Sequence, residues 1–297
     1  MRCFILLLFL YFLLGGVISV MSGFFGVGGG FVLTPILLLL GYSPIEAITT
    51  SLFFTIGTSV SGMVAHIRLK NIQWKTGMIL GLSGVVATQV ARPFVLYLER
   101  NGFDEVVIPL FYIFLLSYFA ISMFLQGKKP SLTGVGKSNS VNGVMYKMVL
   151  IGFLGGFIST TLGVGGGFIM VPLCISVLGI LPKKAVGTSL FAVLMIVTVG
   201  FTSYAFTISI DYSVGIILIL GGLIGSQFGA KFTTFFKNKE ISLLLSMLYI
   251  ATLGSVILKL AHLSLIGLIL LTVFVIYFFT RSLMRFRVQR KSMNPAS

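Results

Sequence analysis

Gly26-Val27-Gly28-Gly29-Gly30-Phe31 returns, residue for residue, as Gly163-Val164-Gly165-Gly166-Gly167-Phe168, and both copies lie inside strongly apolar stretches. A proline follows each (Pro35, Pro172), then a glycine (Gly41, Gly179) and a second proline (Pro44, Pro182). A Thr-Ser-Leu-Phe run closes each unit, at Thr50 to Phe53 and Thr188 to Phe191. Self-similarity on this scale decides architecture before any local reading does. An offset of 137 positions superposes the glycine motifs and the first prolines. After one inserted residue, an offset of 138 carries Gly62 onto Gly200, Trp74 onto Tyr212, Gly77 onto Gly215, Gly84 onto Gly222 and Thr88-Gln89 onto Ser226-Gln227. A single register held across so many rarer residues is a duplication.

The solvent of this chain is a lipid bilayer. Of its 297 residues 57% are apolar and 9% charged, with a mean hydropathy of +1.10, a composition that no soluble domain needs. The net charge of +15 does not point to nucleic acid, because the bases sit between apolar runs and in the tail, as the positive-inside rule expects. Cys3 and Cys174 form neither a metal nor a disulfide framework, and no cofactor or metal is expected. Met1 to Leu14 resembles a signal peptide, one Arg and then an apolar run. No small-residue cleavage site follows, so the stretch reads as a membrane segment.

Loop charges orient the two copies. Arg68, Lys70 and Lys75 follow the second apolar run of copy one, where copy two has only Asp211. Arg92, Glu99, Arg100, Asp104 and Glu105 follow the third, against Lys231, Lys237, Lys239 and Glu240. Glu46 in the short loop after the first glycine segment corresponds to Lys183-Lys184 after the second. All three loops swap sign, so the copies are expected to insert upside down relative to each other. The linker bearing Lys128, Lys129 and Lys137 is then cytoplasmic, as is the Lys183-Lys184 loop, and the segment between them must enter and leave on one side. A straight helix of roughly 33 to 39 residues would run roughly 50 to 58 Å, against a hydrocarbon core of about 30 Å. The expected solution is a hairpin broken at the glycines. Its second arm, Gly30 to Gly41 or Gly167 to Gly179, is about 17 to 18 Å long, which brings both bends near the midplane. Arg2 argues for a cytoplasmic N-terminus, one charge against three loops.

The fold class read from this is an all-α polytopic membrane protein: two inverted repeats, each a glycine-broken re-entrant helical hairpin plus three transmembrane helices, with one extra C-terminal helix. Residues 1–126 are the first repeat, 127–146 a cytoplasmic linker, 147–260 the second repeat, and 261–297 the extra helix and a basic cytoplasmic tail (Arg281, Arg285, Arg287, Arg290, Lys291). The expected spans are 45–66, 76–91 and 106–126, then 185–207, 213–230 and 241–260, then 264–281. Pro44 and Pro182 suit the first helical position, where a missing N–H costs nothing.

A Gly-x-Gly-Gly-Gly bend reaches dihedrals closed to other residues and lets backbone approach backbone or ligand. It also frees amides at the start of each short arm, where the helix dipole is positive, so two such ends converging in the membrane make an anion site without a charged side chain. The residues expected at that site are Gly26, Gly28, Gly29, Gly30, Gly163, Gly165, Gly166 and Gly167. The other reading gives the glycines only close helix packing; the paired, inverted arrangement favours the site. Thr50 and Ser51, with Thr188 and Ser189, lie deep enough in their helices to offer hydroxyls, although Ser and Thr (Thr49 among them) also bond the carbonyl four residues back. Gln89 and Gln227 share one repeat position, and an amide in an apolar helix needs a partner: substrate, or the other half of the protein. His66 and His262 sit at expected helix ends and read as interfacial. No Asp, Glu or Lys falls mid-span, whereas proton-coupled carriers usually need a carboxylate or His relay there. No Ser–His pair or acid cluster suggests a catalytic residue, so the chain does not read as an enzyme.

The twin glycine motifs, the trailing prolines, the Thr-Ser-Leu-Phe closures and the glycine-rich helices around Gly84 and Gly222 resemble the TauE/SafE sulfite-exporter family, from about residue 13 to 260. Two features depart from the family pattern: Thr49 stands where a small Ala or Gly is usual, and the C-terminal helix has no repeat partner. The resemblance implies a multi-pass carrier of the cell inner membrane whose partner is a small sulfur-containing anion, sulfite or an organosulfonate. Export is the expected direction, since an inside-negative potential of about 100 mV contributes roughly 2.3 kcal/mol per charge to anion exit. The expected motion is one repeat rocking against the other. An uptake carrier, a channel and a non-transporting membrane assembly protein stay open as alternatives, as does a homo-oligomer.

Overall fold

A computed structural model describes residues 2–128, 141–206 and 212–293. Lys129, Lys137 and Asp211 lie outside these residues, as do the side chains of Arg2, Cys3, Lys128, Arg290 and Lys291. Every described element is helical. The glycine motifs break the chain where expected. The first separates α1 (Arg2–Phe25) from α2 (Gly30–Leu39), and the second separates α6 (Val141–Leu162) from α7 (Gly167–Ser176). Gly26 and Gly28 take φ of +70° and +81°, and Gly163, Gly165 and Gly166 take +70°, +77° and +71°. Any side chain there would cost about 1–2 kcal/mol, so the helix stops where the sequence supplies glycine.

The remaining helices are α3 (Pro44–Arg68), α4 (Trp74–Arg100), α5 (Asp104–Lys128), α8 (Pro182–Ala205), α9 (Tyr212–Phe232), α10 (Asn238–Leu260) and α11 (Ser264–Met293). Pro44 and Pro182 do occupy the first helical turn, and Ser43 and Glu46 close a capping box ahead of α3. Two helices outrun their expected spans. The expected 76–91 continues to Arg100 with Pro93 inside the helix, because a proline removes one backbone bond and the turns on either side persist. The expected 264–281 continues through the basic tail to Met293. Among the described residues nine helices are long and apolar enough to cross a membrane. At 10 residues each, α2 and α7 reach about 15 Å, half of what a crossing needs.

Helix pairing runs across the duplication. Helix α1 packs along α9 and its repeat counterpart α6 along α4; α3 packs on α9 and α8 on α4; α3 meets α8, and α5 meets α10. Glycines make these contacts backbone-to-backbone, the way membrane helices associate without a hydrophobic driving force. A Cβ on Gly23 would lie 2.0 Å from the Ser226 carbonyl, one on Gly229 1.9 Å from that of Val20, and one on Gly156 2.1 Å from that of Gly84. The sequence halves are therefore interlaced. Helix α11 adds to α10, and Arg285 near its end pairs with Glu240 at the start of α10.

Candidate substrate site at the crossing of the glycine bends

The two breaks meet. A Cβ built on Gly28 would lie 3.5 Å from the Gly165 Cα, one built on Gly165 would lie 3.5 Å from the Gly28 Cα, and both would touch the Thr55 methyl and Val193. The flanking glycines pack reciprocally. Gly30 abuts the Gly163 carbonyl and Gly167 the Gly26 carbonyl, at 2.1 and 2.2 Å from a built Cβ. Gly26 lies against the backbone of Val186 in α8, and Gly163 against that of Ile48 in α3, at 2.6 Å in both cases. Thr55 and Val193 each lie eleven residues into helices of 25 and 24 residues, about 16 Å along and so midway. Every residue of both motifs is buried.

Hydrogen bonds then distinguish the bends. The Gly30 N–H donates to Thr55 Oγ1 (2.7 Å), whose hydroxyl donates to the Ser51 carbonyl (2.7 Å). Ser189 Oγ donates to the Gly26 carbonyl at 2.7 Å, and Thr34 Oγ1 to that of Gly163 at 3.1 Å. At the second bend the position of Thr55 is taken by Val193, which cannot accept from Gly167. The opening amides of α2 and α7 have no intrahelical partner, and their helix dipoles are positive there.

Among the described residues, five buried hydroxyls of α1, α3 and α6, the helices that carry or flank the bends, have no hydrogen-bond partner: Ser22, Ser51, Ser59, Ser159 and Thr160. Such groups are rare in folded interiors and each calls for an explanation. Ser22 and Ser159 are repeat equivalents one turn before the bends, where their carbonyls accept from the Gly26 and Gly163 amides. A Cβ on Gly166 would lie 3.2 Å from that of Ser159, so this hydroxyl belongs to a residue beside the opening turn of α7. Among the described residues the buried polar side chains are Ser, Thr, one His and three tyrosines, Tyr112, Tyr204 and Tyr249, whose hydroxyls donate to the Leu162, Thr160 and Phe168 carbonyls. What the region offers is hydroxyl and amide donors, which suit an oxyanion.

The sequence-derived residues divide. Gly26, Gly28, Gly29 and Gly30 come together with Gly163, Gly165, Gly166 and Gly167, and Thr50, Ser51, Thr188 and Ser189 are all buried. Ser189 reaches the first bend, whereas the Thr188 hydroxyl accepts from the Gln73 amide at 3.0 Å, tying α8 to the start of α4. Thr49 bonds back to Ile45. Gln89 and Gln227 are not at the crossing: both are exposed on outer helix faces, and Gln89 donates to its neighbour Thr88. Their inward neighbours are Thr88 and Ser226, both fully buried. Consecutive helical residues point about 100° apart, and the inward stripe is used for glycine contacts too close for an amide side chain. His66 is also corrected. It is fully buried, with Nε2 2.9 Å from the Gly23 carbonyl and Nδ1 3.2 Å from Asn71, because the last turn of α3 is covered by α1. His262 is exposed at a helix end. The sequence reading overlooked Thr34, Thr55 and the pair Ser22/Ser159; the 137 offset that aligns the glycines aligns that pair too.

Nine spanning-length helices around a buried polar crossing describe a polytopic membrane transporter. The chain belongs to the sulfite exporter TauE/SafE family, whose profile matches residues 11–256. It is 28% identical over 266 residues to the probable membrane transporter protein MJ0441 of Methanocaldococcus jannaschii, covering 82% of this chain and 92% of that one. It is 26% identical to the probable membrane transporter protein YunE of Bacillus subtilis (80% and 92% covered) and 30% identical to a probable membrane transporter protein of Haemophilus influenzae (76% and 84% covered). No solved structure matches the chain at a significant level.

Proposed function

We propose that this protein is a secondary carrier that exports a small oxyanion, sulfite or an organosulfonate, across the cell inner membrane, binding it where the two glycine bends cross. The observation that carries this reading is the symmetry-related pair of unpartnered buried hydroxyls, Ser22 and Ser159, one turn before each bend. An anion held there accepts from these hydroxyls and from the opening amides of α7, which satisfies donors that otherwise cost about 1–3 kcal/mol each.

The topology belongs to the same proposal: two inverted repeats, each opening with a re-entrant hairpin. Tyr11 and Tyr42 hydrogen-bond at 2.8 Å, which supports α1 entering and α2 ending at one surface. Val144 and Met148 of α6 line a hollow with Leu178 to Leu181 just after α7, which supports the second hairpin doing likewise. The reciprocal packing of Gly26 on α8 and Gly163 on α3 supports a two-fold relation between the repeats. Because helices pair across the repeats, the moving bodies are mixed groups: α1, α3 and α9 against α4, α6 and α8, with the α3–α8 contact and the bends between them.

Flux of labelled sulfite into inside-out vesicles tests the reading, comparing wild type with Ser22→Ala plus Ser159→Ala. Export chemistry at the crossing requires at least a tenfold loss of flux with the folded protein intact. Unchanged flux removes these hydroxyls, and the crossing with them, from the transport path.

A further inference from the structure

Gln227, which does not reach the bends, lines a groove of about 510 Å³ on the outer surface, between the last turn of α3 (Ala65, Arg68, Leu69) and α9 (Leu223, Ile224, Phe228, Lys231). The apolar lining runs along α9 from Leu223 to Phe228, and Arg68 and Lys231 stand at the end of the groove where both helices terminate. Both cations are exposed, and among the described residues no acid pairs with either. An apolar trough capped by two unneutralised cations on the flank of two spanning helices matches one class of occupant, a lipid with an acyl chain and an anionic headgroup.

The repeat makes the match one-sided. At the positions equivalent to Arg68 and Lys231 the other copy has Phe206 and Pro93, and the nearby Arg92 already has an interaction of its own. Two surfaces with the same glycine-lined backbone thus differ in charge, and the charged one lies beside the loops that the positive-inside rule assigns to the cytoplasm. Close packing alone has no use for that difference. An anionic lipid of the cytoplasmic leaflet does.

We propose that this groove is a binding site for one anionic phospholipid, its phosphate between Arg68 and Lys231, its glycerol region at the Gln227 amide, and an acyl chain along Ile224 and Phe228. Lipid bound there spans α3 and α9, two helices of one mixed group, and holds their ends together.

The test is native mass spectrometry of the full-length protein released from detergent after titration with phosphatidylglycerol or phosphatidylcholine. Wild type is expected to retain one phosphatidylglycerol preferentially, and Arg68→Gln plus Lys231→Gln to lose roughly 30-fold in that affinity, the combined effect of two cations at a membrane surface. Lys237→Gln plus Lys239→Gln, which removes two exposed cations outside the groove, should change it less than threefold. Equal loss in both double variants, or equal retention of the two lipids by wild type, overturns the proposal. A second measurement does not depend on those variants. With Trp74, the single tryptophan, changed to Phe and Phe228→Trp introduced, brominated phosphatidylglycerol should quench the new indole at lower concentration than brominated phosphatidylcholine. Identical quenching curves also overturn it.

Discussion

The two glycine bends are identical in sequence and differ in how their polar groups are met. At the first, Gly29 is right-handed with φ of −64°, Gly30 donates to Thr55, and the Gly26 carbonyl accepts from Ser189 of the opposite repeat. At the second, Gly166 is left-handed with φ of +71°, Val193 stands at the repeat position of Thr55 and offers no hydroxyl, and the Gly163 carbonyl accepts from Thr34 of the opposite repeat, while the Ser51 hydroxyl has no partner. The shared part, backbone against backbone, is structural and unforgiving. The unshared part leaves the second bend richer in unmet donors. In the carrier we propose, the first bend is the held end and the second the one that exchanges partners with a solute.

The comparison breaks first at the contact the bends share. Gly30→Ala or Gly167→Ala would push a methyl to 2.1 or 2.2 Å from a carbonyl oxygen of the opposite bend, with no side chain able to yield. Neither variant is expected to give a monodisperse protein on size exclusion. Gly41→Ala and Gly179→Ala are the matched controls, since both have positive φ and nothing within 4 Å. They should fold with a loss of about 1–2 kcal/mol.

A smaller effect separates function from stability. Ser22→Ala and Ser159→Ala remove hydroxyls that have no partner, so thermal melting should hold or rise, by up to about 1 kcal/mol each, while anion flux falls. A variant that loses both together would make these serines structural. Next comes the hydroxyl difference between the bends. Thr55→Val leaves the Gly30 amide unmet and should cost about 1–3 kcal/mol, whereas Val193→Thr offers the second bend an acceptor and should stabilise by about 1 kcal/mol. If both changes move the melting temperature in the same direction, the bends are not distinguished in the way described. Ser189→Ala against Ser51→Ala sharpens the same point: only the first removes a hydrogen bond, a difference of about 1 kcal/mol. Least of all, Gln89→Ala should leave anion flux within twofold and stability within about 0.5 kcal/mol, as for exposed positions away from special features.

Much of this was legible in the residues. The duplication, the two helix breaks, the half-length arms and the helix starts at Pro44 and Pro182 follow from composition, spacing and the φ that only glycine adopts freely, all properties of neighbours along the chain. The family could be read from the same motifs. What the chain could not declare was which side of each helix its neighbours would cover. Gln89 and Gln227 looked like interior amides and His66 like an interfacial ring; the tertiary structure turned the glutamines outward and buried the histidine. One residue of rotation on a helix is about 100°, and where the glycine stripes press backbone onto backbone, only the assembled bundle decides which neighbour is enclosed. Interlacing of the halves is of the same kind. Sequence determines that there are two copies and where each bends, and the packing of small residues across copies determines that α1 lies on α9 and α6 on α4, because contact area between distant segments is a property of the fold and not of either segment.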